Sequence, residues 1–223
     1  MAEIFANLGK YSQLLLDGTM ETLYMVSASL LIAVVFGIPL GVLTTITRKG
    51  HILSNNTLNK ALDGIINIGR SIPFIILMVA IIPLTRAIVG TSIGTTAAIV
   101  PLAVAAIPFV ARVVDNALLE IDPGIIEAAR SMGATPLQII LKVLLPEALP
   151  GLILGITLTA INLIGYSAMA GAIGGGGLGD IAVRYGYQRF RVEVMVQTVV
   201  LLILLVQLIQ WAGNKIAGYF DHR

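Results

Sequence analysis

The segment Asp122-Pro-Gly-Ile-Ile-Glu-Ala-Ala-Arg-Ser-Met-Gly-Ala-Thr-Pro-Leu-Gln-Ile-Ile-Leu-Lys-Val-Leu-Leu-Pro146 holds a complete set of start and stop signals for two short helices. Asp122 has an N-cap side chain, and Pro123 suits the first helical position, where a missing N–H costs nothing. Gly133 supplies the left-handed residue that ends such a helix. Thr135 then caps a second helix, with Pro136 at its first position and Gln138 at capping-box spacing, and Pro146 is expected to close it. The two helices meet at Gly133 and form a stiff elbow over about 120–146. Ala128 and Ala129 are small enough to let another protein surface come close.

On both sides of this elbow the chain is strongly apolar. Of 223 residues, 57% are hydrophobic and 12% charged, with a mean hydropathy of +0.94. Soluble domains are roughly half apolar and a quarter charged. Continuous apolar stretches long enough for the roughly 20 residues a membrane helix needs lie at about 19–45, 62–89, 95–114, 149–172 and 194–217. A barrel would show short alternating segments instead. The expectation is an all-α integral membrane protein: one domain over 1–223 with five transmembrane helices. Arg70 and Pro73 interrupt the second span, so its lipid-buried part should begin near Ile72, leaving 63–70 at the interface. The first residues, Met-Ala-Glu-Ile-Phe-Ala, lack the positive region of a secretory leader, and the first apolar run ends without a cleavage-like site, so it is expected to be retained.

Orientation follows from the basic residues. With the N-terminus outside, the cytoplasmic segments carry Arg48, Lys49, Lys60, Arg70, Arg112, Arg130, Lys142, Lys215 and Arg223, against Lys10, Arg86, Arg184, Arg189 and Arg191 outside, nine to five. The positive-inside rule then gives N-out, C-in, a cytoplasmic elbow, and Trp211 and Tyr219 near the inner interface.

Several chemistries are excluded. The chain has no cysteine, and its two histidines, His51 and His222, lie in polar segments, so no thiolate or histidine metal site is expected. A formal charge of +2 gives no argument for nucleic acid. No Gly-x-x-x-x-Gly-Lys-Ser/Thr loop is present, so a nucleotide cannot be cradled in the usual way. No clustered acid, base or metal-ligand set supports an enzyme. An ion-coupled carrier would hold ionisable groups at bilayer depth and often paired inverted repeats, and neither is found.

The fourth span is the most speckled with polar and small residues. Gly151 and Gly155 form a small-xxx-small step for helix packing. Asn162, Tyr166, Ser167 and Met169 would be costly in lipid, so they are expected to face protein or a watery pathway, with Met169 an adaptable gate element. Gly37, Pro39 and Gly41 predict a bend in the first span. Arg112 and Asp115, three residues apart, predict a salt bridge.

The pattern Glu127-Ala128-Ala129, three residues, Gly133, nine residues, Val143, then Leu145-Pro146 resembles the EAA loop of bacterial ABC importer permeases. Val143 stands where that family usually has isoleucine. The resemblance implies that Glu127, Ala128, Ala129, Gly133, Thr135, Pro136, Val143, Leu145 and Pro146 form a coupling helix gripped by a separate cytoplasmic ATPase. ATP and Mg would then sit on that partner and no cofactor on this chain. Two ATPase copies need two elbows, which implies a homodimer in the bacterial inner membrane with the pathway on its axis.

The outer loop after the fourth span, with Gly174, Gly175, Gly176, Gly177, Asp180, Arg184, Tyr187 and Arg189, is then the expected docking surface for an extracytoplasmic solute-binding protein. Nearly the whole chain is similar to the methionine importer permease family. The similarity is carried by Arg70-Ser-Ile-Pro-Phe-Ile-Ile-Leu, Arg86-Ala-Ile-Val-Gly-Thr-Ser-Ile-Gly, Asn116-Ala-Leu-Leu-Glu-Ile and Gly165-Tyr-Ser-Ala-Met. It implies import of L-methionine, D-methionine and derivatives by alternating access, a methionine-binding protein or lipoprotein, and inhibition by internal methionine acting on the ATPase. A permease for another polar amino acid or a quaternary amine is the alternative within the class, and an ion-coupled secondary carrier the alternative outside it.

Overall fold

The computed structural model describes residues 11–220; the N-terminal residues read for a leader, Lys10, His222 and Arg223 lie outside them. Among the described residues every regular element is helical. In order these are α1 (Ser12–Ile46), α2 (Asn56–Ser71), α3 (Phe74–Ala80), α4 (Ile82–Val89), α5 (Thr95–Leu119), α6 (Pro123–Ser131), α7 (Pro136–Ile139), a π-helical turn (Ile140–Leu144), α8 (Leu145–Glu147), α9 (Leu149–Gly171), α10 (Gly177–Ile181), a second π turn (Ala182–Tyr187) and α11 (Val192–Phe220).

Four helices among the described residues, α1, α5, α9 and α11, are long and apolar enough to cross a membrane; α2 and α3 add a fifth only if taken together as one broken span. The expected second span is therefore not continuous. Pro73 offers no N–H and biases Ile72 away from helical backbone, which ends α2 at Ser71. Ile81 (φ −96°, ψ 12°) interrupts again before α4 starts with a proline in its first turn. α1, α5 and α11 overrun the apolar stretches, because helical hydrogen bonding does not stop where the apolar run does, whereas α9 coincides with its stretch to within one residue. Many large apolar side chains on these long helices, among them Leu31, Phe36, Leu204 and Leu208, are exposed, as helices in lipid require.

The chain forms two compact units. One comprises the described residues up to Leu31, Ile72–Ala105 and Ala160–Ile209. Its core packs Leu15 of α1, Leu178 and Ile181 of α10 and Val194 of α11. Ser29 Oγ donates to Ile99 O at 3.3 Å, joining α1 to α5 within this unit.

The other unit comprises Ile32–Ser71, Ala106–Thr159 and the described residues from Gln210 onward. Here the glycines flanking Pro39 serve close approach: a Cβ on Gly37 would lie 2.7 Å from Val110, and one on Gly41 2.5 Å from Ala111 O. Ile66, Val110, Val114, Leu118, Ile139 and Leu144 are fully buried in it. Gly155 lets α9 settle against Val113 and Gly151 lies against Ala117, the packing role expected of the pair.

Candidate functional site

The first arm of the elbow, α6, is built as its sequence requires. Asp122 Oδ1 accepts from the Gly124 N–H at 2.7 Å. At the far end Ala134 N–H donates to Ala129 O (3.1 Å) and Gly133 N–H to Arg130 O (2.9 Å), with Gly133 at φ +80°. These are the paired bonds of a Schellman ending. Thr135 and Gln138 then exchange the two bonds of a capping box, at 2.9 and 3.4 Å.

The second arm departs from expectation. After α7 the backbone widens into the π turn and stays helical through Pro146 to Glu147, turning only at Ala148 before α9. Pro146 does not close the arm. A proline lacks an N–H and its ring crowds the carbonyl four residues back; the wider turn relieves both conflicts, so the helix carries on.

Ile126 and Ile139 are buried and fix the two arms. Glu127, Ala128, Gly133, Thr135, Pro136 and Pro146 are exposed, and Ala129, Val143 and Leu145 are half-buried. The turn before α2 lies close to this elbow: Gly50 and His51 share a small cavity of about 120 Å³ with Pro123, Ile126, Glu127 and Arg130. His51 sits where protonation is disfavoured. Burial first, then the positive charges of Arg48 and Arg130, push its pKa below the ordinary 6.5 against a weaker opposite pull from Asp115.

Next to this turn sits a buried ion cluster. Asp115, whose side chain has no exposed surface, accepts from Arg48 at 2.7 Å, from Arg112 at 3.1 Å and from the Thr45 hydroxyl at 2.9 Å. Arg112 also reaches Asp63 at 2.6 Å and Asn67 at 2.8 Å. The expected pair is thus part of a network tying α1, α2 and α5 together.

On α9, Asn162, Tyr166 and Met169 recur at i, i+4 and i+7 and share a face. Asn162 and Tyr166 are half-buried and Met169 is exposed. Tyr166 stacks on Phe74 of α3, with ring centroids 4.6 Å apart and planes 6° from parallel. Ser167 stands apart: it is buried, and its hydroxyl donates back to Ile164 O at 2.8 Å.

The glycine loop is not a free connector. Gly177 N–H donates to Glu21 Oε2 at 2.7 Å, Leu178 N–H to Thr22 Oγ1 at 2.9 Å, and Gly94 N–H to Gly174 O at 2.9 Å. Gly174, Gly176 and Gly177 hold positive φ, and a Cβ on Gly176 would meet Thr95 and Glu21 within 3 Å. Gly175 and Gly177 are buried, Gly174, Gly176 and Asp180 half-buried, and Asp180 pairs with Arg184. What is exposed lies further on: Arg184, Tyr187 and Arg189, whose guanidinium sits 4.6 Å over the Tyr185 ring. Among the described residues no group of three or more His, Asp or Glu is placed to hold a metal ion.

Residues 37–223 match the family described as the binding-protein-dependent transport system inner membrane component. The chain belongs to that family. This inner-membrane component is a multi-pass transport subunit, not an enzyme. It is 58% identical over 212 residues to the probable D-methionine transport system permease protein MetI of Vibrio cholerae, covering 95% of this chain and 94% of that one. Over 158 residues it is 60% identical to the D-methionine transport system permease protein MetI of Escherichia coli K12, covering 71% and 73%. Among solved structures it superposes on a chain of the MetNI methionine ABC transporter in an inward-facing conformation, with a TM-score of 0.94 at 55% identity, covering 96% and 99%. An amino acid ABC transporter crystallised with histidines shares the fold, with a TM-score of 0.75 at 20% identity.

Three features of this inner-membrane component escaped the sequence reading. Met132 at the corner of the elbow is 86% exposed, with Leu137 and Leu141 also exposed one turn apart on the second arm. Their i, i+4 spacing beside the Gly133 corner was the available signal. Phe190 is 82% exposed and is the non-glycine residue held at positive φ (54°) among those described. Phe74, the partner of Tyr166, gave no signal, because an aromatic in an apolar run reads as filler.

Proposed function

We propose that this permease imports methionine, in its L- and D-forms and as close derivatives, by alternating access as a homodimer joined to two cytoplasmic ATPase subunits that hold ATP and Mg. An extracytoplasmic methionine-binding protein delivers the solute, and the chain lies N-out, C-in, as its basic residues favour. The D-methionine permeases and the methionine ABC transporter that the chain resembles support the solute and the assembly.

The observation that carries the mechanism is the elbow. It is capped at both arms, anchored inward by Ile126 and Ile139, and presents Met132, Leu137 and Leu141 outward. Exposed apolar side chains on a stiff corner suit the groove of a protein partner. Glu127, Ala128, Ala129, Gly133, Thr135 and Pro136 shape that corner. Val143, Leu145 and Pro146 lie in the arm that leads into α9.

Short joins make the elbow a lever. α5 ends at Leu119 and α6 starts at Pro123, while α8 ends at Glu147 and α9 starts at Leu149. Movement of the corner by the closing ATPases therefore passes into both long helices with little slack. Asn162, Tyr166 and Met169 line the pathway that this movement opens, and Ser167 supports them from the packed side. Arg184, Tyr187 and Arg189 meet the binding protein, while the glycines and Asp180 hold the loop in place behind them.

Reconstitution of the permease with its ATPase and binding protein in vesicles tests this reading. Uptake of labelled methionine should require ATP and all three components and should be blocked by excess unlabelled methionine. Uptake that proceeds without the ATPase and collapses with an ion gradient would contradict it.

A further inference from the structure

A cavity of about 390 Å³ lies within the first unit, walled by Met78 of α3, Thr85 of α4, Ala98 of α5 and Ala170 at the end of α9, with Ile93 and Ile173 near its edge. The buried Gly175 of the glycine loop forms a further wall. We infer that this cavity is a subsite in the permease itself for the transported amino acid, taking its unbranched apolar side chain. The inference rests on the import reading above.

The cavity continues the face already assigned to the pathway. Met78 is one turn beyond Phe74 and Ala170 one turn beyond Tyr166, so the stacked pair stands at one end of the cavity. Ile173, in the turn two residues past the end of α9, lines the cavity together with Ala170 of that helix. A solute moving along that face meets the cavity without crossing a helix.

Its chemistry is that of an amphiphile's pocket. No charged side chain lines it, and the Thr85 hydroxyl is satisfied by Ile81 O at 3.1 Å, so the interior is apolar without an unpaired polar group. At the rim Ser92 lines the cavity and accepts from Arg86 Nε at 3.2 Å, placing a cation where a carboxylate would sit. The volume lies within the roughly 300–1,000 Å³ range of small-molecule sites. Met78 supplies an adaptable, polarizable contact suited to a straight side chain or a thioether.

The cavity is also preformed. Glu21, Thr22 and the Gly94–Gly174 bond pin the glycine loop, so the Gly175 wall stands without a ligand. The glycines there let backbone approach backbone: a Cβ on Gly175 would lie 2.7 Å from Ala170 O.

The test is uptake of methionine and of ethionine, one methylene longer, by the complete reconstituted complex with one binding protein throughout, so that a changed ratio belongs to the permease. Ile173 is 47% exposed and tolerates a large replacement. Ile173→Trp should lower the ethionine-to-methionine ratio about tenfold, since one methylene in a filled pocket is worth about 10- to 200-fold. Ala98→Leu should do the same and serves if the tryptophan variant fails to assemble. Met78→Ala should shift the ratio the other way, and Arg86→Gln should lower both solutes about equally.

Ratios equal to wild type in the narrowed and widened variants would overturn the subsite. So would phospholipid that co-purifies with wild type and is lost from Ile173→Trp while the ratio stays fixed, which would make the cavity a lipid site. If the wild-type complex shows no ATP-driven uptake at all, the import reading fails and the subsite with it.

Discussion

Arg48 donates to Asp115 at 2.7 Å, and Asp115 has no exposed side-chain surface. A carboxylate this buried is tolerable only because Arg48, Arg112 and Thr45 together satisfy it. Removing it leaves two arginines facing a cavity. Asp115→Ala should therefore cost about 3–5 kcal/mol of stability, and Asp115→Asn less, because its amide oxygen still accepts. Thermal unfolding of the purified permease in detergent measures both, and equal midpoints for wild type and Asp115→Ala would contradict the assignment.

Gly133 is a cleaner probe of the elbow, because its φ of +80° is unfavourable for side chains although a Cβ there would touch nothing within 4 Å. Gly133→Val should strain the corner by about 1–2 kcal/mol without a clash, misaligning the two arms. Gly133→Asn, which tolerates the left-handed region, should be close to wild type. The number of methionines taken up per ATP hydrolysed should fall for valine and hold for asparagine. Equal loss in both would point to the need for a bare backbone at the partner surface rather than to its conformation.

Phe190 combines a left-handed backbone with a side chain left in the open. Such strain persists where a function holds it. Phe190→Gly should relieve about 1 kcal/mol of local strain yet weaken the apparent affinity for the binding protein about tenfold, as loss of an aromatic anchor does. The concentration of binding protein giving half-maximal ATP hydrolysis reports this, and an unchanged value would remove Phe190 from the interface.

His51 gives a pH signature. Its folded pKa lies below 6.5 because burial, Arg48 and Arg130 oppose protonation. The unfolded chain therefore binds this proton more readily than the folded one. Stability is complete above about pH 6.5 and is lost as the pH falls toward the lower folded pKa. His51→Gln should flatten that part of the curve. Unfolding midpoints at about pH 7.5 and about pH 5.5 show whether wild type loses more than the variant; identical losses would mean that His51 does not titrate in this turn.

Local chemistry was readable, and tertiary choices were not. The caps at Asp122, Thr135 and Gln138 and the ending at Gly133 depend on a few adjacent residues, so their spacing alone placed them. The Arg112–Asp115 pair was readable for the same reason, whereas Arg48 comes from the turn after α1 and Asp63 from α2, and they leave no local trace. Tyr166 and Ser167 are neighbours, and the stacking of Tyr166 on Phe74 while Ser167 turns into the packed side depends on a residue distant in sequence. The glycine run permits either mobility or close packing, and Glu21 and Thr22, distant in sequence, select packing. Pro146 reads as a stop because a proline breaks a regular α-helix, and the π turn that accommodates it carries no motif.

The lever at Met132 offers the most direct test. Met132→Asp places a charge on the exposed corner without disturbing the buried anchors Ile126 and Ile139. Vesicles carrying this variant with the ATPase and binding protein should retain the permease in the membrane but lose co-purifying ATPase, and ATP-driven methionine uptake should fall at least about tenfold. Full ATPase attachment together with wild-type uptake would contradict the elbow as the site where the engine takes hold.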